Sequence, residues 1–339
     1  MNMFPILRLS VLAAVITGLA ACGGGGGGSS SSGGSSVTPA PPPAGELLVD
    51  PDGYGSRLAP MRSLSDLNAS SELFTDIQAI ETFIDSVSDA LSADISASAS
   101  MTATSVAECS IANENLVISD TRNSAGVGDL LIEFLDCMVP VDGAQYSLDG
   151  TVRTTTRNLS GDQVQVIERY NLDGYELTGA MRPIALRGSQ TITARARSST
   201  DIEVVSTTES LEFLRDDVYV AIRGSRIAIR ETSNRITLNI QSEIIGSSIN
   251  GYLILDTPES VVATTGTTCP SRGKISVVGD GRIDSAYGVS NSRGAGVEVT
   301  IGGVTTYNAG CNVGVPGVSD KLSATQRTPE DERPKAQAE

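Results

Sequence analysis

Ile236-Thr237-Leu238-Asn239-Ile240 alternates strictly between apolar and polar side chains, and Val297-Glu298-Val299-Thr300-Ile301 does the same. Val218, Val220 and Ile222 keep the same period of two. Successive side chains of a strand point to opposite faces, so this period marks strands with one buried and one wet face. From Asn115 onward the chain stays in this β idiom, rich in Thr, Val, Ile and Ser, with short polar breaks and Gly at turns. An apolar-x-Gly pattern recurs at Leu148-Asp149-Gly150, Leu177-Thr178-Gly179, Ile222-Arg223-Gly224 and Ile249-Asn250-Gly251. It is read as marking strand starts, and its irregular spacing predicts a hairpin meander and not a solenoid. No helical pattern alternates with these strands, which argues against parallel βαβ units.

The polar face of the strands carries Arg153, Arg157, Arg169, Arg195, Arg197, Arg223, Arg226 and Arg230 among Thr and Glu. Acids nearly match these arginines in number, so the expected arrangement is a lattice of cross-strand pairs; an anion-binding surface is the alternative. The one strong helical period lies earlier, from Ser63 to Asp94. Leu73, Ile77, Ile80, Ile84, Val87 and Leu91 recur at spacings of three and four, with Glu72, Asp76, Glu81, Asp85 and Asp89 off the stripe. The fold class expected is α+β, mainly β: a large curved antiparallel meander sheet with one N-terminal amphipathic helix, about 63–94, packed on it.

The 339 residues carry a net charge of −16, unevenly placed. Between Glu46 and Asp149 there are 18 acids and 3 bases, whereas from Gly150 to Ile240 there are 11 acids and 12 bases. A surface that binds phosphate gains its affinity from clustered Lys and Arg, so nucleic acid is set aside as a partner. Histidine and tryptophan are absent. The missing histidine removes Ser-His-Asp and Cys-His nucleophile activation and the commonest zinc and copper ligand.

The N-terminus has a different character. One base, Arg8, precedes a largely apolar run from Leu9 to Ala20, the layout of a cleavable export signal. The run is too short to cross a hydrocarbon core, which takes about 20 helical residues. Leu19-Ala20-Ala21-Cys22 resembles the lipobox of bacterial lipoproteins. That resemblance implies cleavage before Cys22, acylation of this cysteine, and membrane attachment through lipid. With Gly23 and not Asp after the cysteine, it further implies the outer membrane of a Gram-negative bacterium, facing the periplasm or the surface. Residues 22–45 are then a Gly/Ser/Pro tether that cannot bury enough surface to offset its ordering entropy. The expected layout is signal peptide 1–21, lipidated cysteine and tether 22–45, β-rich domain 46–318, and a charged, Pro- and Ala-containing tail 319–339. Leu131-Ile132-Glu133-Phe134-Leu135-Asp136-Cys137, with Tyr146-Ser147-Leu148-Asp149-Gly150 and the Thr/Arg strand after it, resembles β-rich lipoproteins of Gram-negative bacteria. This likeness carries no catalytic residues.

Four further cysteines, Cys109, Cys137, Cys269 and Cys311, make an even count, which in an oxidising compartment reads as disulfides with three possible pairings. Cys109–Cys137 and Cys269–Cys311 are favoured, as nearest neighbours that each bracket a strand-turn-strand stretch. Loops of that length are worth about 3.5 to 4 kcal/mol in the chain-entropy model. Three motifs invite chemistry and each has a plainer reading. Ser271-Arg272-Gly273-Lys274 matches S-x-x-K but enters a strand, where the two side chains diverge. Asp50-Pro51-Asp52-Gly53 lacks the later acids and closing Glu of an EF-hand. Asp280-Gly281-Arg282-Ile283-Asp284 reads as a turn. No cofactor, metal or catalytic residue is assigned. The expected role is non-catalytic, a lipid-anchored envelope protein that binds or scaffolds; the alternatives are a lipid or lipoprotein carrier with a half-barrel cavity, and a carboxylate-dependent hydrolase.

Overall fold

A computed structural model describes residues 42–63, 66, 73, 76, 77, 80, 82–84, 86, 87, 109, 115–141, 144–159, 162–177, 181–264, 270–291 and 294–309. The first strands are β1 (Leu116–Asp120), β2 (Gly128–Val141), β3 (Ala144–Asn158), β4 (Gln163–Glu176) and β5 (Arg182–Ser198). The middle ones are β6 (Asp201–Arg215), β7 (Val218–Thr232), β8 (Arg235–Gly246) and β9 (Gly251–Thr264). The last are β10 (Arg272–Gly279), β11 (Gly281–Asn291), β12 (Gly294–Ile301) and β13 (Val304–Ala309). They form one open 13-stranded sheet in chain order, and every neighbouring pair is antiparallel. The expected β-meander is therefore the architecture.

Tight turns make this order possible. At the β12–β13 turn Gly302 and Gly303 both have positive φ, 56° and 82°, the backbone that matches the twist of a two-residue hairpin. Asp216 opens the β6–β7 turn at φ 60°, a conformation Asp tolerates better than most residues. The apolar-x-Gly pattern does not mark strand starts in general. Gly251 begins β9, but Gly150 lies inside β3 and Gly224 inside β7, each with positive φ. Gly150 is needed because a Cβ there would stand 2.0 Å from the Asn171 carbonyl oxygen. Gly224 lies where the β7–β8 register shifts, and comparable shifts occur between Phe134 and Cys137 and between Gly188 and Gln190. Each such bulge bends its strand and raises the local twist.

The strands bury one face in common. Phe134, Leu172, Leu186, Phe213 and Val220 lie in one cross-strand row, with Gly150 between the first two. All five of these side chains are buried in the main core. Leu73, Ile77, Ile80, Phe83, Ile84 and Val87 are helical and belong to the same cluster. Phe83 sets its ring 5.5 Å from that of Phe213 and meets Tyr146 edge-on at 6.0 Å. This face is called the inner face below. The expected helix spans residues that include many outside those described.

The N-terminal segment lies on the other side of the sheet. Leu47, Val49 and Tyr54 pack on Tyr219, Ala221 and Ile245 of the outer face, and the Tyr54 ring stacks on that of Tyr219. The segment is fixed by Glu212, whose carboxylate is 1% exposed. Its oxygens accept the backbone N–H groups of Leu48 (2.6 Å), Val49 (2.9 Å) and Asp50 (3.3 Å) and the hydroxyl of Tyr219 (2.8 Å). Three successive amides aimed at one anion make a backbone nest. The chain then passes through the sheet where β9 and β10 part. Tyr252 of β9 and Asp280 of the β10–β11 turn hydrogen-bond residues 57–61 from opposite sides. Ala59 and Met61 emerge in the main core. Gly279 makes room, since a Cβ there would lie 2.2 Å from the Ala59 carbonyl oxygen.

Replacing Glu212 by Ala strands three backbone donors and a phenol, so Glu212→Ala is expected to cost about 3 kcal/mol or more of folding stability. Urea denaturation checks this, and an unchanged midpoint would rule out the role given to this carboxylate.

Candidate functional site

Alternation along β4 places Val164, Val166, Glu168, Tyr170 and Leu172 on the inner face, so one acid sits in an apolar series. Glu168 is 5% exposed. Its Oε2 accepts the Tyr170 hydroxyl at 2.9 Å and the Gln190 side-chain amide at 2.8 Å. The ladder continues the polarity across the sheet: Thr154 faces Glu168, Glu168 faces Gln190, Gln190 faces Thr208, and Thr208 faces Ser225. A polar row thus crosses a mainly apolar face, with Glu168, Gln190, Thr208 and Ser225 all buried.

Above Glu168 lies a cavity of about 60 Å³, walled on the helical side by Phe83, Ile84 and Val87 and on the sheet side by Thr154, Glu168, Tyr170 and apolar neighbours. Sites for drug-sized ligands measure roughly 300–1,000 Å³, so this space suits at most a few waters or a very small ligand. Among the described residues that line it Glu168 is the single acid. A glycosidase-type mechanism takes two carboxyl groups, about 5 to 9.5 Å apart. What Glu168, Tyr170 and Gln190 offer is a fixed acceptor with two donors locked onto it.

The motifs singled out in the sequence are scattered. The Ser271 hydroxyl donates to the Val262 carbonyl at 3.0 Å, whereas Lys274 Nζ reaches Asp284 at 3.6 Å, so the S-x-x-K pair serves two separate contacts. Asp50 turns its carboxylate onto the N–H groups of Tyr54 (2.7 Å) and Gly55 (3.0 Å), and Asp52 accepts the Tyr54 hydroxyl. An oxygen set closed over its own loop's donors is arranged as a turn. Asp280 is in the β10–β11 turn and pairs with Arg62, while Asp284 pairs with Arg282. Among the described residues no group of three His, Cys, Asp or Glu side chains is placed to hold a metal ion. Cys109 and Cys137 are both buried, with Cα atoms 4.6 Å apart, inside the span of a disulfide. Cys22, Cys269 and Cys311 lie outside the described residues.

On the outer face five of the arginines singled out in the sequence are matched with acids. Arg153 pairs with Asp129 (3.3 Å), Arg195 with Asp162 (3.1 Å), Arg197 with Glu203 (3.2 Å) and Arg230 with Asp201 (2.9 Å). Arg223 pairs with Glu243, its direct cross-strand partner. These five form the expected lattice in part; Arg169 faces Arg153, and the Arg226 Nε is buried without a hydrogen-bond partner among the described residues. The Arg122 side chain and backbone hold Asp120 down at about 2, and the Arg230 hydrogen bond likewise lowers Asp201. Burial raises the Asp284 pKa, but Ser276, Arg282 and Lys274 together outweigh it and leave the net shift downward. Burial and the adjacent Glu212 push the Tyr219 hydroxyl far up, and burial alone lifts Tyr287 to about 12.

No known protein family, curated protein or solved structure matches this chain. Fold and site stand on its own residues. Sequence reasoning passed over Glu168, although the alternation of β4 carries the signal. It also passed over Glu212, for which no local signal exists.

Two outcomes are expected. Phe83→Ala removes the ring that meets Phe213 and Tyr146 and should cost about 3–5 kcal/mol by thermal or urea unfolding. Carboxylates whose folded pKa is depressed stabilise the fold above their unfolded value, and that stability is lost as pH falls through the folded value. The urea midpoint should accordingly drop between about pH 4 and pH 2, the window set by Asp120; a midpoint independent of pH there would rule out these pairs as contributors.

Proposed function

We propose that this chain is a lipid-anchored protein of the bacterial envelope that works by binding a partner, with no catalytic step of its own. Cys22 of the lipobox-like Leu19-Ala20-Ala21-Cys22 is the acylated residue, residues 22–45 are the tether, and the outer membrane is its site. The tether's end is supported by Gly45, whose N–H donates to the Glu209 carbonyl at 3.0 Å where the chain meets the sheet. The helix of about 63–94 covers the inner face, supported by the buried helical side chains from Leu73 to Val87.

The observation that carries the functional reading is how small the space beside Glu168 is among the described residues. Phe83, Ile84 and Val87 close over the inner face and leave about 60 Å³ beside Glu168. A carrier of lipid or lipoprotein needs an apolar cavity several times larger. A space that small favours recognition through the outer surface and loops. Two disulfides, Cys109–Cys137 and Cys269–Cys311, complete the domain. The second is supported by topology: Pro270 and Ala309, each within two residues of a cysteine, both lie at the sheet end that carries the β9–β10 connection.

Native mass spectrometry of the protein released from the envelope tests the binding reading. A mass free of lipid beyond the anchor, and short by four hydrogens for two disulfides, is expected; a further lipid lost on denaturation would replace binding by carriage. Labelling cells with radioactive palmitate should mark the wild type and leave Cys22→Ala unmarked, and label retained by the variant would remove the anchor from Cys22.

A further inference from the structure

Three large apolar side chains stand exposed together where β4 gives way to β5: Tyr175 is 51% exposed, Leu177 40% and Met181 68%. Glu176 and Arg182 are the last ladder pair of this hairpin, so Leu177 and Met181 follow it on either side, and Tyr175 directly faces Pro183. The Leu177 N–H donates to the Gln145 carbonyl at 2.7 Å, which holds the group against the start of β3. Tyr175 alternates with the inner-face residues of β4 and so belongs to the outer face.

Beside this group the outer face is acidic. Asp149 and Asp173 are direct cross-strand partners. Like charges placed so are destabilising. Arg187 offsets Asp173, and Asp136 accepts the Ser147 hydroxyl, Ser147 being the cross-strand neighbour of Tyr175. Farther along the same face Arg153 of β3, Arg195 and Arg197 of β5 and Arg230 of β7 are each set against an acid. Here the sheet holds acids in excess next to wet apolar side chains. The facing acids cost stability, and an apolar group rimmed by polar residues is the usual mark of a recognition surface.

We propose that Tyr175, Leu177 and Met181, with Asp136, Asp149 and Asp173 beside them, form the docking surface for a protein segment that carries large apolar side chains flanked by Lys or Arg. This rests on the binding reading above and names the chemistry of the partner. The acids select against anionic lipid headgroups, and the apolar group supplies the contact that desolvation rewards.

The test titrates a fluorescent synthetic peptide of alternating leucine and lysine into the full-length protein held in zwitterionic nanodiscs, with empty nanodiscs as blank. The Tyr175→Ser/Met181→Ser variant should weaken binding at least about tenfold, Asp149→Asn should weaken it several-fold, and Ile254→Ser, at an apolar site exposed elsewhere, should leave it unchanged. Substitutions at such exposed positions leave folding stability within about 0.5 kcal/mol, so matched melting curves accompany the titrations. Equal binding by all variants would mean diffuse attraction to a protein of net charge −16 and would overturn the proposal. Loss confined to Ile254→Ser would also overturn it, as would equal affinity for a peptide of alternating leucine and glutamate or no binding of either peptide. The binding reading itself is decided separately by the native mass measurement.

Discussion

Each of the thirteen described strands takes most of its backbone hydrogen bonds from its neighbours in sequence, and that single ladder is the constraint on which the rest depends. Buried backbone donors and acceptors have to be met, and an unbroken antiparallel meander meets them with short turns and no crossover. Thirteen strands joined so make one broad sheet with two faces, and the apolar side chains of alternate positions accumulate on one of them. A face that large needs a cover. The helical side chains from Leu73 to Val87 supply it, with Phe83 seated between Phe213 and Tyr146. The bulges follow from the same demand, because a flat sheet cannot close around a cover and a bulged one can bend.

The second organising contact is electrostatic and belongs to the outer face. Glu212 collects three successive amides from the N-terminal segment and so fixes that segment's path and register on the sheet. From there the chain enters the gap between Tyr252 and Asp280 and reaches the inner face. The N-terminal residues are thus coupled to both faces. Within the core Glu168 is a different kind of exception. Its donors, Tyr170 and Gln190, come from its own strand and the next one, so the polar row is built into the ladder.

Much of this was legible in the residues. The period of two in Ile236–Ile240 and Val297–Ile301 marked strands with one buried face, and both stretches lie in β8 and β12 as that period required. The balance of Arg and acid anticipated the outer lattice. The same alternation, followed through Gln163–Glu176, puts Glu168 on the apolar face, so that residue was within reach of the pattern. The Gly signals were misplaced because apolar-x-Gly answers to positive φ and close approach, which Gly150 and Gly224 satisfy inside strands. Glu212 was beyond reach. It looks like any acid on a wet face, and the amides that bury it come from residues 162 to 164 positions away.

The sequence by itself determined the strands, their faces, the meander and the absence of histidine chemistry, because these depend on local period and composition. Only the tertiary structure decided where the N-terminal segment lies, which acids are buried, how little space remains beside Glu168, and that Tyr175, Leu177 and Met181 stand exposed near Asp149 and Asp173. The physical reason is the same for each. Burial and pair formation depend on what comes to lie opposite a residue, and in a sheet with segments packed on each face that partner can come from anywhere in the chain.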